Sequence, residues 1–219
     1  MKKIKIEDIR NIYLEFADDE NAFLMSKYMK NKFAYFGVKK SKSEEFIKPL
    51  IKELKAYNTK ELYSLVGELW DEDEREMQYV ALEILTKILQ KRDIDIDFIE
   101  KLILKKSWWD TVDTLSNLTG AYFKKNLEMD RLNRWVESDN IWLNRSAIIF
   151  QLKYKDSTNQ EIIEDFIERL KGNKEFFIQK AIGWILRENS KRNPQWVKKV
   201  VENQNLTGLA KREALRLLK

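Results

Sequence analysis

A period of about 33 residues runs through this chain and restricts its fold more than any other feature. Ala81, Thr114, Ala147, Ala181 and Ala214 stand 33, 33, 34 and 33 positions apart. One place after them come Leu82, Leu115, Ile148, Ile182 and Leu215, and five places before them Glu76, Trp109, Trp142, Phe176 and Leu209. A unit this short cannot enclose a core by itself, so it must bury its apolar face against the units before and after it. The small residue is predicted to let two helices approach closely, and the position after it to face the core.

Within each period the apolar residues recur at helical spacing, as in Leu62, Leu65, Val66 and Leu69, and strand-like alternation is nearly absent. About a dozen helices of about 10 to 17 residues fit the chain. They are separated by polar breaks such as Lys171-Gly172-Asn173 and Ser190-Lys191-Arg192-Asn193-Pro194. The acidic run from Asp71 to Glu76 reads as a helix start, with its carboxylates near the positive end of the dipole. The expected fold is all-α: a right-handed-type α-solenoid of HEAT-like helical pairs, forming one domain over 1–219 with no dividing linker. The degenerate pattern fits HEAT-like units better than the signature-bearing ankyrin or tetratricopeptide types, although the spacing alone admits either.

Composition removes much of the available chemistry. The chain contains no His and no Cys, which excludes Ser/His/Asp and Cys/His catalysis, disulfides and the commonest metal ligands. Reactivity is left to carboxylates, Lys, Tyr or bound water. With six Gly and two Pro, and with neither a dinucleotide fingerprint nor a P-loop, no nucleotide or other cofactor and no metal is expected. No run approaches the roughly 18 apolar residues of a membrane span. The lysine-rich start leads into acidic residues rather than an apolar signal core, so a cytoplasmic location is expected.

The net charge of +5 is unevenly distributed. From Ile141 onward there are 16 Lys and Arg against 9 Asp and Glu, whereas the first 140 residues hold 25 against 27. A basic C-terminal part suits a polyanionic partner, and it equally suits a merely soluble surface.

The segment Ser107 to Asp113 places Trp109 and Asp113 four residues apart, hence on one helix face. An indole beside a carboxylate favours a flat, cationic ligand, such as a positively charged damaged nucleobase. Asp113 interrupts the apolar sequence Trp108, Trp109, Val112, Leu115, where an unused acid would be costly; a surface ion pair is the plainer reading. Asp113 lies one place before the small residue of its unit and Arg145 two places before the next, so stacked helices bring the two toward one groove. Arg145 fits a phosphate contact or an ordinary ion pair. Trp109 and Trp184 fit stacking plates for a base or simple packing. Lys153, Lys155, Lys180 and Arg187 fit a phosphate-binding strip or solvated surface.

The ordered motifs Ser107-Trp-Trp-Asp-Thr-Val-Asp113, Ser138-Asp-Asn-Ile-Trp-Leu-Asn-Arg145, Phe150-Gln-Leu-Lys-Tyr-Lys155 and Lys174-Glu-Phe-Phe-Ile-Gln-Lys-Ala-Ile-Gly-Trp-Ile-Leu-Arg-Glu188 closely resemble the AlkD family of HEAT-like-repeat DNA glycosylases. Tyr28-Met-Lys-Asn31, Glu68-Leu-Trp-Asp71 and Lys211-Arg-Glu-Ala214 are similar too, so the likeness covers nearly the whole chain. The resemblance implies a concave basic groove that holds double-stranded DNA and excises cationic N3- or N7-alkylated purines by cleaving the N-glycosidic bond, without conventional base flipping. It implies that Asp113 is the catalytic carboxylate, that Trp109 and Trp184 line the lesion site, that Tyr28 is an N-terminal aromatic contact, and that Arg145 touches the DNA backbone. The stretch from Thr114 to Arg134 is shorter and differently composed than in that family. A monomer is expected, cytoplasmic and associated with the bacterial nucleoid when on DNA. A non-catalytic DNA-binding relative that recognises distorted or branched DNA, and a helical-repeat scaffold for a protein partner, are the competing readings.

Overall fold

A computed structural model describes residues 3–218. Among the described residues there are thirteen α-helices, of seven to fifteen residues, and no strand; Ala34 and Glu74 form an isolated bridge. The chain divides into two compact units, Met1–Ile94 and Asp95–Lys219.

The first unit contains α1 (Ile6–Glu15), α2 (Asp19–Tyr28), α3 (Lys40–Leu54), α4 (Thr59–Asp71) and α5 (Arg75–Lys87). Leu62, Val66, Leu69 and Trp70 of α4 and Met77, Val80, Ala81 and Ile84 of α5 are fully buried, the expected outcome of their helical spacing. The acidic run leads into a helix start as expected: Asp71 closes α4, Glu74 stands at the cap position of α5 and Glu76 lies in its first turn. Glu72 and Glu74 accept hydrogen bonds from Arg10 at 2.7 and 2.6 Å. Glu76 is buried, and its carboxylate accepts from the backbone N–H groups of Phe36, Gly37 and Val38 at 3.2, 2.9 and 3.3 Å. Its job is to fix a loop, because those three donors would otherwise be orphaned in the interior.

The second unit contains α6 (Ile96–Leu104), α7 (Trp109–Phe123), α8 (Met129–Glu137), α9 (Ile141–Ile149), α10 (Gln160–Leu170), α11 (Phe176–Ser190), α12 (Pro194–Asn203) and α13 (Gly208–Ala214). Here α7, α9, α11 and α13 stack in that order, and α6, α8, α10 and α12 precede them as the first helices of four pairs. Thr114, Ala147, Ala181 and Ala214 are each the sixth or seventh residue of a second helix, as Ala81 is of α5. The four alanines are fully buried. Thr114, beside Asp113, is half-buried.

Local chemistry sets the helix boundaries. Asp95, Asn140, Asn159 and Asn193 each accept from a backbone N–H of the first turn of the helix they precede, and Pro194 occupies the first turn of α12. The turn within a pair is stitched by an amide from the second helix. Asn144 Nδ2 reaches the carbonyls of Trp135, Val136 and Ser138, and Gln78 Nε2 does the same for Leu69, Trp70 and Glu72. Both amides stand three places before the small residue, so the repeat extends to its polar contacts.

Candidate active site

Asp113 and Arg145 meet across the α7–α9 contact. Arg145 Nε donates to Asp113 Oδ1 at 2.7 Å and Nη2 to Oδ2 at 2.9 Å, a bidentate pair. Arg145 Nη1 donates to the carbonyl of Phe177, on α11, at 2.7 Å. One guanidinium thus ties three successive second helices together. Its side chain is 5% exposed and that of Asp113 19%, so the open side of the pair belongs to the carboxylate.

The surroundings are aromatic. The Arg145 Cζ lies 5.9 Å from the ring of Trp184 and 6.0 Å from that of Phe177. Behind it Trp108, Trp142 and Phe177 form a triangle, with ring centroids 5.5, 5.0 and 5.0 Å apart, that packs the starts of α7, α9 and α11 together. Trp109, the first residue of α7, is half-buried one turn before Asp113, and Trp184 is half-buried on α11. Burial pushes the Asp113 carboxyl above its ordinary value, and the Arg145 guanidinium opposes that rise by favouring the ionised form; Asp110 adds to it.

The predicted residues divide by location. Asp113 and Arg145 come together as the register suggested, with Trp184 beside the guanidinium and Trp109 one turn from Asp113. Arg145 forms the ion pair that the sequence equally allowed, with its guanidinium buried in the α7–α9 contact. Lys180 and Arg187 do not form an open strip: both pair with Glu213 of α13, Lys180 at 3.1 Å. Burial alone would raise the Glu213 carboxyl, but the two cations outweigh it and hold it below its ordinary value. Lys153 and Lys155 are exposed in the segment after α9. Tyr28 belongs to the first unit, where it is 70% exposed at the end of α2 and lines a cavity with Leu24, Met25, Met29, Tyr35 and Tyr79. Two contributors were missed. Phe177 acts through its backbone carbonyl, which has no sequence signature. Glu213 did carry a signal, since it stands one place before Ala214 as Asp113 does before Thr114.

Among the described residues no group of three or more His, Cys, Asp or Glu is arranged to hold a metal ion, and no helix is long and apolar enough to cross a membrane. The arrangement is a stack of helical pairs presenting one rigidly held, partly open carboxylate beside indole rings, the form of a helical-repeat protein built around an anionic site. A family profile described as DNA alkylation repair enzyme matches residues 10–218, and the chain belongs to that family. A solved structure titled "Predicted DNA alkylation repair enzyme from Enterococcus faecalis" is 32% identical, with a TM-score of 0.83 over 92% of this chain and 96% of that one. No functionally curated protein matches.

Proposed function

We propose that this DNA alkylation repair enzyme is a monofunctional DNA glycosylase, hydrolysing the N-glycosidic bond of cationic N3- and N7-alkylpurines such as 3-methyladenine and 7-methylguanine in duplex DNA. The observation that carries the reading is the Asp113 carboxylate, held at both oxygens by Arg145 and still partly exposed. Membership of an alkylation repair family supports DNA as the partner.

The chemistry follows from where charge moves. An alkylated purine already carries a positive charge, so when the bond to C1′ breaks, the electron pair leaves with the base as a neutral molecule and no general acid is needed. The charge that must be stabilised grows on the deoxyribose. A fixed anion in a water-poor site favours that charge without reorganising as it forms. Arg145 does not cancel the effect. Its side chain is more deeply buried than that of Asp113, so an incoming sugar meets the carboxylate before the guanidinium. Asp113 then orients water toward C1′, the new C–O bond replaces the C–N bond, and the proton passes to the carboxylate or to solvent. Trp109 and Trp184 hold the cationic nucleotide by ring-face attraction. Tyr28, Lys153, Lys180 and Arg187 serve as DNA contacts, the last two in a geometry set by Glu213.

Asp113→Asn keeps the shape and one acceptor but removes the charge. Methylated duplex DNA incubated with this variant should release no free methylpurine above background, while fluorescence anisotropy should show duplex binding within a few-fold of the unsubstituted protein. Equal release by both proteins would remove Asp113 from the reaction.

A further inference from the structure

Of the thirteen described α-helices, α2 alone buries none of its residues. Packing of a buried face supplies most of a helix's stability in a protein, and α2 lacks one. A loop fastens it instead. Between α2 and α3 the chain runs through Tyr35, Phe36, Gly37 and Val38, all four buried. The carbonyls of this loop take polar groups of α2 and its cap. Asp18, at the cap, donates its backbone N–H to Phe36 at 2.9 Å, Ser26 Oγ donates to Phe33 at 2.9 Å, and Asn21 Nδ2 donates to Gly37. Gly37, with φ at 85°, lies so close that a β-carbon on it would collide with the Asp18 carbonyl oxygen and the Ala22 nitrogen. The N–H groups of Phe36, Gly37 and Val38 all end on the Glu76 carboxylate. Arg75 adds its backbone N–H to the Ala34 carbonyl at 2.9 Å and sets its guanidinium over the Phe33 ring at 3.8 Å.

We infer that Glu76 is a positioning residue for DNA binding: it shapes the loop from which α2 hangs, and so holds Tyr28, the last residue of α2, where it meets the duplex. This rests on the glycosylase reading above, which makes Tyr28 a DNA contact. A carboxylate suits the task because it only accepts and satisfies three donors at once, whereas a neutral amide brings donors of its own. With no buried face, α2 undocks readily once the loop loosens, as elements of low local stability do. A cavity of about 240 Å³ between side chains of α2, Tyr35 and Tyr79 leaves that contact incompletely filled. Duplex affinity then scales with the fraction of molecules whose α2 is docked. Glu76 is 2% exposed, so it acts through the loop and not on DNA itself, and the bond-breaking step is left to Asp113.

The test compares the unsubstituted protein with Glu76→Gln and with the double variant Asn21→Ala/Ser26→Ala, which cuts bonds from the α2 side and leaves Glu76 and the core in place. Tyr28→Ala is made alone and combined with each, and the binding probe is a duplex containing a stable abasic-site analogue. Both loosening changes should speed amide hydrogen exchange in α2 by about ten-fold or more while α4 keeps its protection. Duplex binding should weaken about ten-fold, as a fall of the docked fraction to about one-tenth requires. Single-turnover excision at saturating enzyme should change less than about two-fold, because bound DNA draws α2 back to its docked place. Tyr28→Ala should weaken binding by itself, and the loosening changes should add little to that loss, since both act through one contact. Should Glu76→Gln not fold, the double variant decides alone. If the unsubstituted protein excises methylpurine while the loosened variants match it in α2 exchange and affinity, or while their losses add in full to that of Tyr28→Ala, the inference fails and the glycosylase reading stands. If the unsubstituted protein neither excises nor binds duplex, both fail together.

Discussion

Asp113 and Glu213 occupy the same place in their repeats, one residue before the small one, and their surroundings drive their carboxyl groups in opposite directions. Both lose hydration. Glu213 has two cations, Lys180 and Arg187, which together more than offset the loss. Asp113 has one guanidinium, shared with the Phe177 carbonyl, and burial prevails. The consequence for activity has a definite sign. In the proposed reaction hydrolysis needs the ionised carboxylate, so the rate falls as Asp113 is protonated, and a raised carboxyl is protonated earlier as the pH drops. Single-turnover release of methylpurine should therefore fade on acidification at a pH above that of an ordinary aspartate, and a profile flat down to the usual carboxylate range would contradict this. Arg145→Lys should be far from conservative, because an ammonium cannot bond both Asp113 oxygens and the Phe177 carbonyl in one plane. A loss of about 100-fold in the single-turnover rate is expected, with duplex affinity kept within a few-fold. Equal rates for the two proteins would show that the bidentate geometry is dispensable.

Between helices, closeness of approach controls whether these side chains meet. Gly120, on α7, lies against the end of α9: a β-carbon there would collide with the carbonyl oxygen of Phe150, and Tyr154 donates from its hydroxyl to the Gly120 carbonyl at 2.8 Å. Gly120→Ala must push α9 away from α7 and so lengthen the Asp113–Arg145 contact. It should cost about 1–3 kcal/mol in denaturant unfolding and reduce excision as well; an unchanged midpoint would mean that the helices do not pack as described. This level was the most legible in the sequence. The period of 33 residues marks the helix contacts because a small residue is required wherever two helices cross closely, and Asp113 and Arg145 were placed on adjacent helices by that offset alone. The direction of each side chain was not legible. Arg145 turns inward because Phe177 offers a carbonyl, and Lys180 and Arg187 converge on Glu213 from the next second helix, relations set by packing across the stack and not by position along the chain. The buried role of Glu76 was hidden for the same reason, since its partners are backbone N–H groups about 40 residues away.

At the scale of the whole molecule, the likeness to the Enterococcus faecalis structure covers 92% of this chain and 96% of that one. The absence of His and Cys from the sequence fits a reaction whose leaving group needs no proton and whose one essential group is a fixed charge. Repair of alkylated DNA can end in two chemically distinct ways: removal of the whole base, or removal of the alkyl group with the base left in place. The products separate them. Duplex DNA carrying radiolabelled methyl groups should be incubated with the protein and resolved by chromatography, with the strand analysed before and after alkali. Base excision should give free 3-methyladenine or 7-methylguanine, a strand that stays intact until alkali cleaves it at the new abasic site, and no transfer of label to protein. Demethylated bases still within the strand, or no loss of methylpurine from DNA at all, would contradict it.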